Sequence, residues 1–174
     1  MRTASPVQIT DLLRAFDAVT WPVGRQAAHD LAAALGWSVR LETPNGIRFV
    51  TNLGTDDERA RALVITDETA GDVLDELEIN VSGAEDQSPT ALRKAYTSLC
   101  TAVEETLGAP VVADRGKNPR TFWDLTNGGR VGLQRLDDIV VMVLLSRDAA
   151  DLARQEARLG ISLDRVPGTG HEDL

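Results

Sequence analysis

The hydrophobic pattern of the chain changes at Trp37, and this change constrains the fold more than any other feature. Up to Gly36 the apolar residues recur with the period of a helix, whereas from Trp37 apolar and polar residues alternate. Alternation with period two is typical of a strand that buries one face and leaves the other in water or against a partner. Residues 37–82 therefore predict a sheet with one polar face.

Helix signals flank this segment. Ser5-Pro6-Val7-Gln8 has the spacing of a capping box and predicts a helix over 6–20, and a second, alanine-rich helix ends at Gly36. Ser88-Pro89 predicts the start of a third helix that Gly108 ends, and a final helix covers 148–159. The strands are predicted at 37–42, 47–53, 62–66, 75–82, 121–125, 130–136 and 139–146.

The predicted order is ααββββαβββα, which indicates an α+β fold: antiparallel sheet with helices packed on one side. The strand at 139–146 is apolar on both faces, so we expect it at the centre of the sheet. Residues 1–160 are expected to form a single domain, followed by a mobile tail at 161–174. Segments 24–83 and 89–146 share an order of elements, which leaves both internal duplication and chance similarity open.

Acidic residues are concentrated in one part of the chain. The net charge is −9, and the segment from Asp56 to Asp86 holds eleven carboxylates but only two cations, Arg59 and Arg61. The rest of the chain has equal numbers of acidic and basic side chains. This distribution argues against general nucleic-acid binding, which needs clustered Lys and Arg. The segment is either a solvated face that maintains solubility or a docking surface for a partner protein.

Charge and pattern together suggest ten residues for contact with a partner. Seven come from the acidic segment, and three polar residues come from the loop that follows the third helix. The candidate partner-binding residues are Asp56, Asp57, Glu58, Asp67, Glu68, Glu76, Glu78, Arg115, Lys117 and Asn118.

No catalytic residue, metal site or cofactor is predicted. His29 and His171 are far apart and have no second histidine or cysteine at ligand spacing. Cys100 falls in a helical pattern, where a buried apolar role is favoured over a reactive thiol. Trp21, Trp37 and Trp123 are interpreted as packing residues, with a tryptophan-lined ligand pocket as the alternative.

Two short segments of the sequence bear on where in the cell the protein is expected. The N-terminus has no apolar stretch of the kind found in signal peptides. The longest apolar run, 139–145, is too short for a bilayer, which takes about 20 residues. We therefore expect a cytoplasmic protein with no membrane contact.

Two motifs give the chain a resemblance to a known group of proteins. Leu35-Gly36-Trp37 starts the first sheet, and a hairpin from Trp123 to Val131 has the sequence Trp-Asp-Leu-x-Asn-Gly-Gly-x-Val. This pattern resembles the small acidic immunity proteins that actinobacteria encode beside secreted toxins, and it is most similar to the immunity factor for tuberculosis necrotizing toxin, an NAD glycohydrolase. The resemblance implies an antitoxin that occludes the active site of its toxin and has no chemistry of its own.

Two other functions stay open beside the immunity protein, which we expect to be a monomer that forms a 1:1 heterodimer with its toxin. One is a secretion chaperone, since helix-sheet-helix chaperones of this size are also acidic and are dimeric. The other is an enzyme or small-ligand-binding domain that uses a tryptophan-lined pocket.

Overall fold

The structure is a computed structural model that describes residues 2–83 and 88–161. These residues form four helices and eight strands. The helices are α1 (Pro6–Asp17), α2 (Arg25–Ala34), α3 (Pro89–Leu107) and α4 (Arg147–Arg158). The strands are β1 (Ser38–Thr43), β2 (Gly46–Val50), β3 (Arg59–Asp67), β4 (Gly71–Asn80), β5 (Val112–Asp114), β6 (Arg120–Asp124), β7 (Arg130–Arg135) and β8 (Val140–Leu145).

All eight strands belong to one antiparallel sheet, in the order β1-β2-β3-β4-β8-β7-β6-β5. The strand predicted to be central, β8, lies between β4 and β7, so that prediction is confirmed. Each half of the chain contributes a helix followed by four strands, and the last strands of the two halves pair with each other. The two predicted groups of strands therefore form one continuous sheet.

Side-chain caps start three of the helices, as their sequences suggest. Ser5 and Gln8 form a full capping box at α1, in which Gln8 N donates to Ser5 Oγ at 3.3 Å and Ser5 N donates to Gln8 Oε1 at 2.8 Å. Ser88 and Ser146 accept hydrogen bonds from backbone N–H groups in the first turns of α3 and α4. The caps of α1 and α3 are local signals, which is why the starts of these two helices could be predicted.

The core lies between one face of the sheet and helices α1, α2 and α3. Phe16 of α1 and Val103 of α3 are fully buried, and α1 packs along α3. From the sheet, Phe49, Ile79 and Leu144 belong to the same core cluster. Burial of this apolar surface is the main stabilising contribution to the fold. The predicted α+β class, with helices on one side of an antiparallel sheet, is confirmed.

The sequence did not predict the shortest strand. Residues 112–114 form β5, an edge strand that pairs with β6. Helix α1 ends at Asp17, three residues before the predicted end. Residues 162–174 of the predicted tail lie outside the described residues, as do Glu85 and Asp86 of the acidic segment. Among residues 2–83 and 88–161, no helix has the length and apolar character needed to cross a membrane.

Candidate functional site

The face of the sheet that points away from α1, α2 and α3, called the outer face below, carries a cluster of charged side chains. Ile47 and Phe49 are buried in the core, so Arg48 between them points outward. Strand register places Arg48 in a row of outward-facing residues that crosses the whole sheet. In strand order the row is Leu41, Arg48, Arg61, Glu78, Val143, Gly132, Phe122 and Val112.

Four arginines cluster on the first three strands of this face, and we call them the arginine patch: Arg40, Arg48, Arg59 and Arg61. All four are exposed, and they line a shallow groove of about 670 Å³. The register of β1 against β2 shifts between Val39 and Leu41, so Arg40 lies at a β-bulge.

Among the described residues, only one arginine of the patch forms an ion pair. Within the part of the chain that the structure describes, Arg40, Arg48 and Arg61 make no ion pair within 4 Å, whereas Arg59 pairs with Asp57. Arg48 and Arg61 are direct cross-strand partners, and like charges in that position are destabilising. Arg61 has Glu78 as its cross-strand partner on β4, and its charge lowers the pKa of Glu76, so the charge of Arg61 is partly balanced within the fold.

Some arginines elsewhere in the fold do form ion pairs. Arg25 bonds Glu42 at 2.8 Å, and its second amino group lies 3.3 Å from Asp72. At the other end of the outer face, Asp124 Oδ1 accepts hydrogen bonds from Arg130 Nε at 2.8 Å and Arg154 Nη2 at 3.0 Å. Partial burial opposes ionisation of Asp124, but these two hydrogen bonds lower its pKa overall.

Glu76 and Glu78, called the glutamate pair below, lie on the outer face of β4 beside the arginine patch. Glu78 is the cross-strand partner of Arg61, and Glu76 is the partner of Leu63. Both glutamates are half-buried. Burial raises the pKa of Glu76, and the negative charges of Glu78 and Asp75 raise it further. Two of the ten predicted residues thus lie next to the arginines on one surface.

The predicted residues Asp56, Asp57 and Glu58 have partners within the fold. The Asp56 side chain is only 4% exposed and accepts hydrogen bonds from Arg2 N at 2.9 Å and Arg2 Nε at 2.7 Å. The backbone N–H of Arg2 contributes most to lowering the pKa of Asp56, followed by its guanidinium. Asp57 pairs with Arg59, and Glu58 accepts a hydrogen bond from Gly54 N at 3.0 Å. These carboxylates hold the N-terminus and the loop before β3 in place.

Asp67 and Glu68 lie at the turn between β3 and β4, at the far end of β3 from Asp57. Asp67 Oδ1 accepts hydrogen bonds from Thr69 N at 2.8 Å and Ala70 N at 2.7 Å. The Thr69 hydroxyl, followed by these backbone N–H groups, lowers the pKa of Asp67. Since β3 is nine residues long, the two groups of acidic residues are separated by roughly 26 Å along the strand. They do not form one patch.

The predicted basic loop lies at yet another position. Arg115, Lys117 and Asn118 belong to the connection between β5 and β6, and Arg115 and Lys117 are exposed. The backbone oxygen of Lys117 accepts a hydrogen bond from Arg135 at 3.3 Å. Strands β4, β8 and β7 separate this loop's strand from β3, so the loop is remote from the arginine patch.

Residues 7–146 match the model of a family of unknown function, DUF6301. The chain belongs to this family. The comparison with curated proteins gives no match. The DUF6301 match begins in α1 and ends at Ser146, the residue that caps α4. The family region of this chain therefore includes the whole sheet, with the arginine patch and the glutamate pair, while α4 follows it.

Other residues that could carry chemistry in this DUF6301 protein are isolated. Among the described residues, no group of three or more His, Cys, Asp or Glu side chains is arranged to hold a metal ion. His29 lies 3.3 Å from Glu42. Cys100 is half-buried, and burial raises the pKa of its thiol, which disfavours the reactive thiolate.

The three tryptophans do not line a common pocket. Trp123 is 1% exposed and donates a hydrogen bond from Nε1 to the backbone oxygen of Gly108 at 3.1 Å. Trp37 is buried against Phe49. Trp21 lines a cavity of about 520 Å³ beside the first turn of α4, together with Ile65 and Asp148.

Arg40 and Arg48 were not among the ten predicted residues, although the sequence holds a signal for them. Both alternate with apolar residues in segments that predict strands, whereas Arg59 and Arg61 precede the strand predicted at 62–66 and belong to β3 only in the structure. Alternation alone places each arginine on a polar face, but it does not show that the strands lie side by side. The cluster appears only with the register of β1, β2 and β3.

Proposed function

We propose that this protein acts by binding a partner protein on the outer face of its sheet, and that it is an immunity protein without enzymatic activity. The observation that carries the proposal is the cluster of exposed arginines on β1, β2 and β3, three of which make no ion pair within 4 Å among the described residues. Arg48 and Arg61 face each other directly, which costs the free protein stability. A partner that supplies negative charge would offset this cost in the complex.

The shape of the surface also supports binding of a protein. The arginine patch and the glutamate pair lie on adjacent strands of a continuous sheet, so their backbone positions are fixed relative to each other. Leu41, at the rim, is 48% exposed and adds an apolar contact. Polar groups held in place around an apolar contact are typical of protein interfaces.

The partner class comes from the resemblance of the sequence to toxin-immunity proteins. On that basis the partner is a secreted toxin, of the NAD-degrading type, encoded beside this gene. The protein acts in the cytoplasm as a monomer when free and forms a 1:1 complex that occludes the toxin's active site.

Co-expression with the toxin encoded by the neighbouring gene tests this proposal. Cells that produce the toxin with this protein should survive and keep their NAD, whereas cells with the toxin alone should lose both. Continued NAD loss in the presence of the folded protein would contradict immunity. Light scattering of the purified protein distinguishes an immunity protein from the chaperone alternative, because it measures whether the free protein is a monomer or a dimer. A dimer that binds only unfolded toxin would contradict the proposed 1:1 complex.

A further inference from the structure

The charge on the outer face changes sign between two neighbouring strands. Along one row, Arg48 and Arg61 on β2 and β3 are followed by Glu78 on β4. Neighbouring strands lie about 4.8 Å apart, so the change occurs over a single strand spacing. A surface with this order of charges favours partners with the opposite order, because a reversed arrangement places like charges together.

We infer that the partner presents clustered carboxylates to the arginine patch and a basic side chain to the glutamate pair. The inference rests on the proposed function and adds the chemistry of the partner's surface. A guanidinium binds a carboxylate through two parallel hydrogen bonds. The Cβ atoms of direct cross-strand partners such as Arg48 and Arg61 are about 5 Å apart. Carboxylates four residues apart on a helix have a similar spacing, about 5–6 Å.

The surroundings of the patch favour an acidic protein segment over a nucleic acid. A phosphate backbone carries negative charge at short, regular intervals along its whole length. Beyond Arg61 it would meet Glu78, and beyond Arg59 it would meet Asp57 and Glu58. The net charge of −9 adds to this repulsion. A folded protein can instead present carboxylates to the arginines only and present no negative charge to the glutamate pair.

The inference can be tested on the full-length protein with a simple probe. The probe is an octaglutamate peptide blocked at both ends, and the readout is the NMR signal of the arginine Nε–H groups in ¹⁵N-labelled protein at low salt. We expect octaglutamate to shift the signals of Arg48 and Arg61. We also expect the Arg48→Ala/Arg61→Ala variant to bind at least about tenfold more weakly, because two charge-assisted contacts are lost.

Two comparisons make the result specific. The Arg93→Ala/Lys94→Ala variant removes the same charge from exposed positions on α3, and it should bind octaglutamate as the unmodified protein does. A thymidine octanucleotide should bind more weakly than octaglutamate. Melting temperatures of both variants establish that they are folded.

The inference is overturned if octaglutamate leaves the Arg48 and Arg61 signals unchanged, or if the octanucleotide binds equally well. The second result would show a response to any polyanion. Failure of the inference differs from failure of the proposed function. Protection against the toxin without octaglutamate binding overturns only the carboxylate inference, whereas octaglutamate binding without protection overturns only the immunity proposal.

Discussion

Arg48 on β2 and Arg61 on β3 lie directly opposite each other on the outer face of the sheet. Neither forms an ion pair within 4 Å among the described residues, although the protein has 27 acidic side chains. The relationship is unfavourable for the free protein, since like charges in a cross-strand pair repel. Glu78, the cross-strand partner of Arg61, offsets part of this repulsion, and a negatively charged partner that covers both arginines would offset more.

Replacing Arg48 should therefore stabilise the free protein. Its cross-strand neighbours are Leu41 and Arg61, so Arg48→Thr removes repulsion and introduces a residue that favours strands. We expect the free energy of unfolding in urea to rise by about 0.2–1 kcal/mol. The gain should shrink at 1 M salt, where charges are screened over about 3 Å. Arg61→Thr serves as the control and should gain less, because it also loses its attraction to Glu78.

The Asp56 carboxylate should be needed for the fold. Asp56→Asn weakens both hydrogen bonds from Arg2, so we expect a lower melting temperature at pH 7. Because the folded protein lowers the pKa of Asp56, its stabilising effect is present above the unfolded value of 3.8 and is lost as the pH falls through the folded value. The exposed loop residue Asp138 provides a control, since Asp138→Asn should leave the melting temperature nearly unchanged. Equal melting temperatures for the Asp56 variant and this control would contradict the assigned role.

Glu76 should have the opposite dependence on pH. Burial raises its pKa above the ordinary value of 4.5, so its ionisation disfavours the folded state as the pH rises through the folded value. We expect Glu76→Gln to raise the melting temperature at pH 7 and to have a smaller effect at pH 4. Glu105→Gln, at an exposed position on α3, should change it little at either pH. A Glu76→Gln protein that melts lower at pH 7 would argue against this account.

Asp124 should matter more than Arg154 for stability. The Arg130 side chain is 6% exposed, and its Nε lies 2.8 Å from Asp124 Oδ1. Asp124→Ala would leave this buried guanidinium without its acidic partner, at a cost of about 1–3 kcal/mol. Arg154→Ala leaves the Arg130–Asp124 pair intact, so it should cost less. Chemical unfolding of the two variants measures the difference, and a larger loss in the Arg154 variant would refute the explanation.

The fold could be predicted because its signals are local. The alternation that begins at Trp37 and the serine caps of α1 and α3 each depend on residues that are close in sequence. Strand β5 has three residues, too few to show a period, and it exists because it pairs with β6. Helix α1 ends at Asp17, whose carboxylate accepts a hydrogen bond from Thr126 N at 2.7 Å, a partner distant in sequence.

The binding surface was less predictable than the fold, because charge along the chain does not show which side chains have partners. The acidic segment suggested docking residues, but Asp56 is almost fully buried against Arg2 and Asp67 stabilises its own turn. In the sequence, Arg59 and Arg61 are simply the two basic residues of a segment that is mostly acidic. These two arginines lie beside Arg48 because of the strand register. A single sequence specifies the register only through its hydrophobic pattern.

Charge reversal on the arginine patch tests the central claim most directly. The measurement is the dissociation constant, by calorimetry, between the purified toxin from the neighbouring gene and two matched variants. Arg48→Glu/Arg61→Glu reverses two charges in the patch, and Arg93→Glu/Lys94→Glu reverses two charges on α3. We expect at least about a 100-fold loss of affinity for the first variant and less than about a threefold change for the second. Equal affinities for the two variants would contradict the claim that the outer face binds the partner.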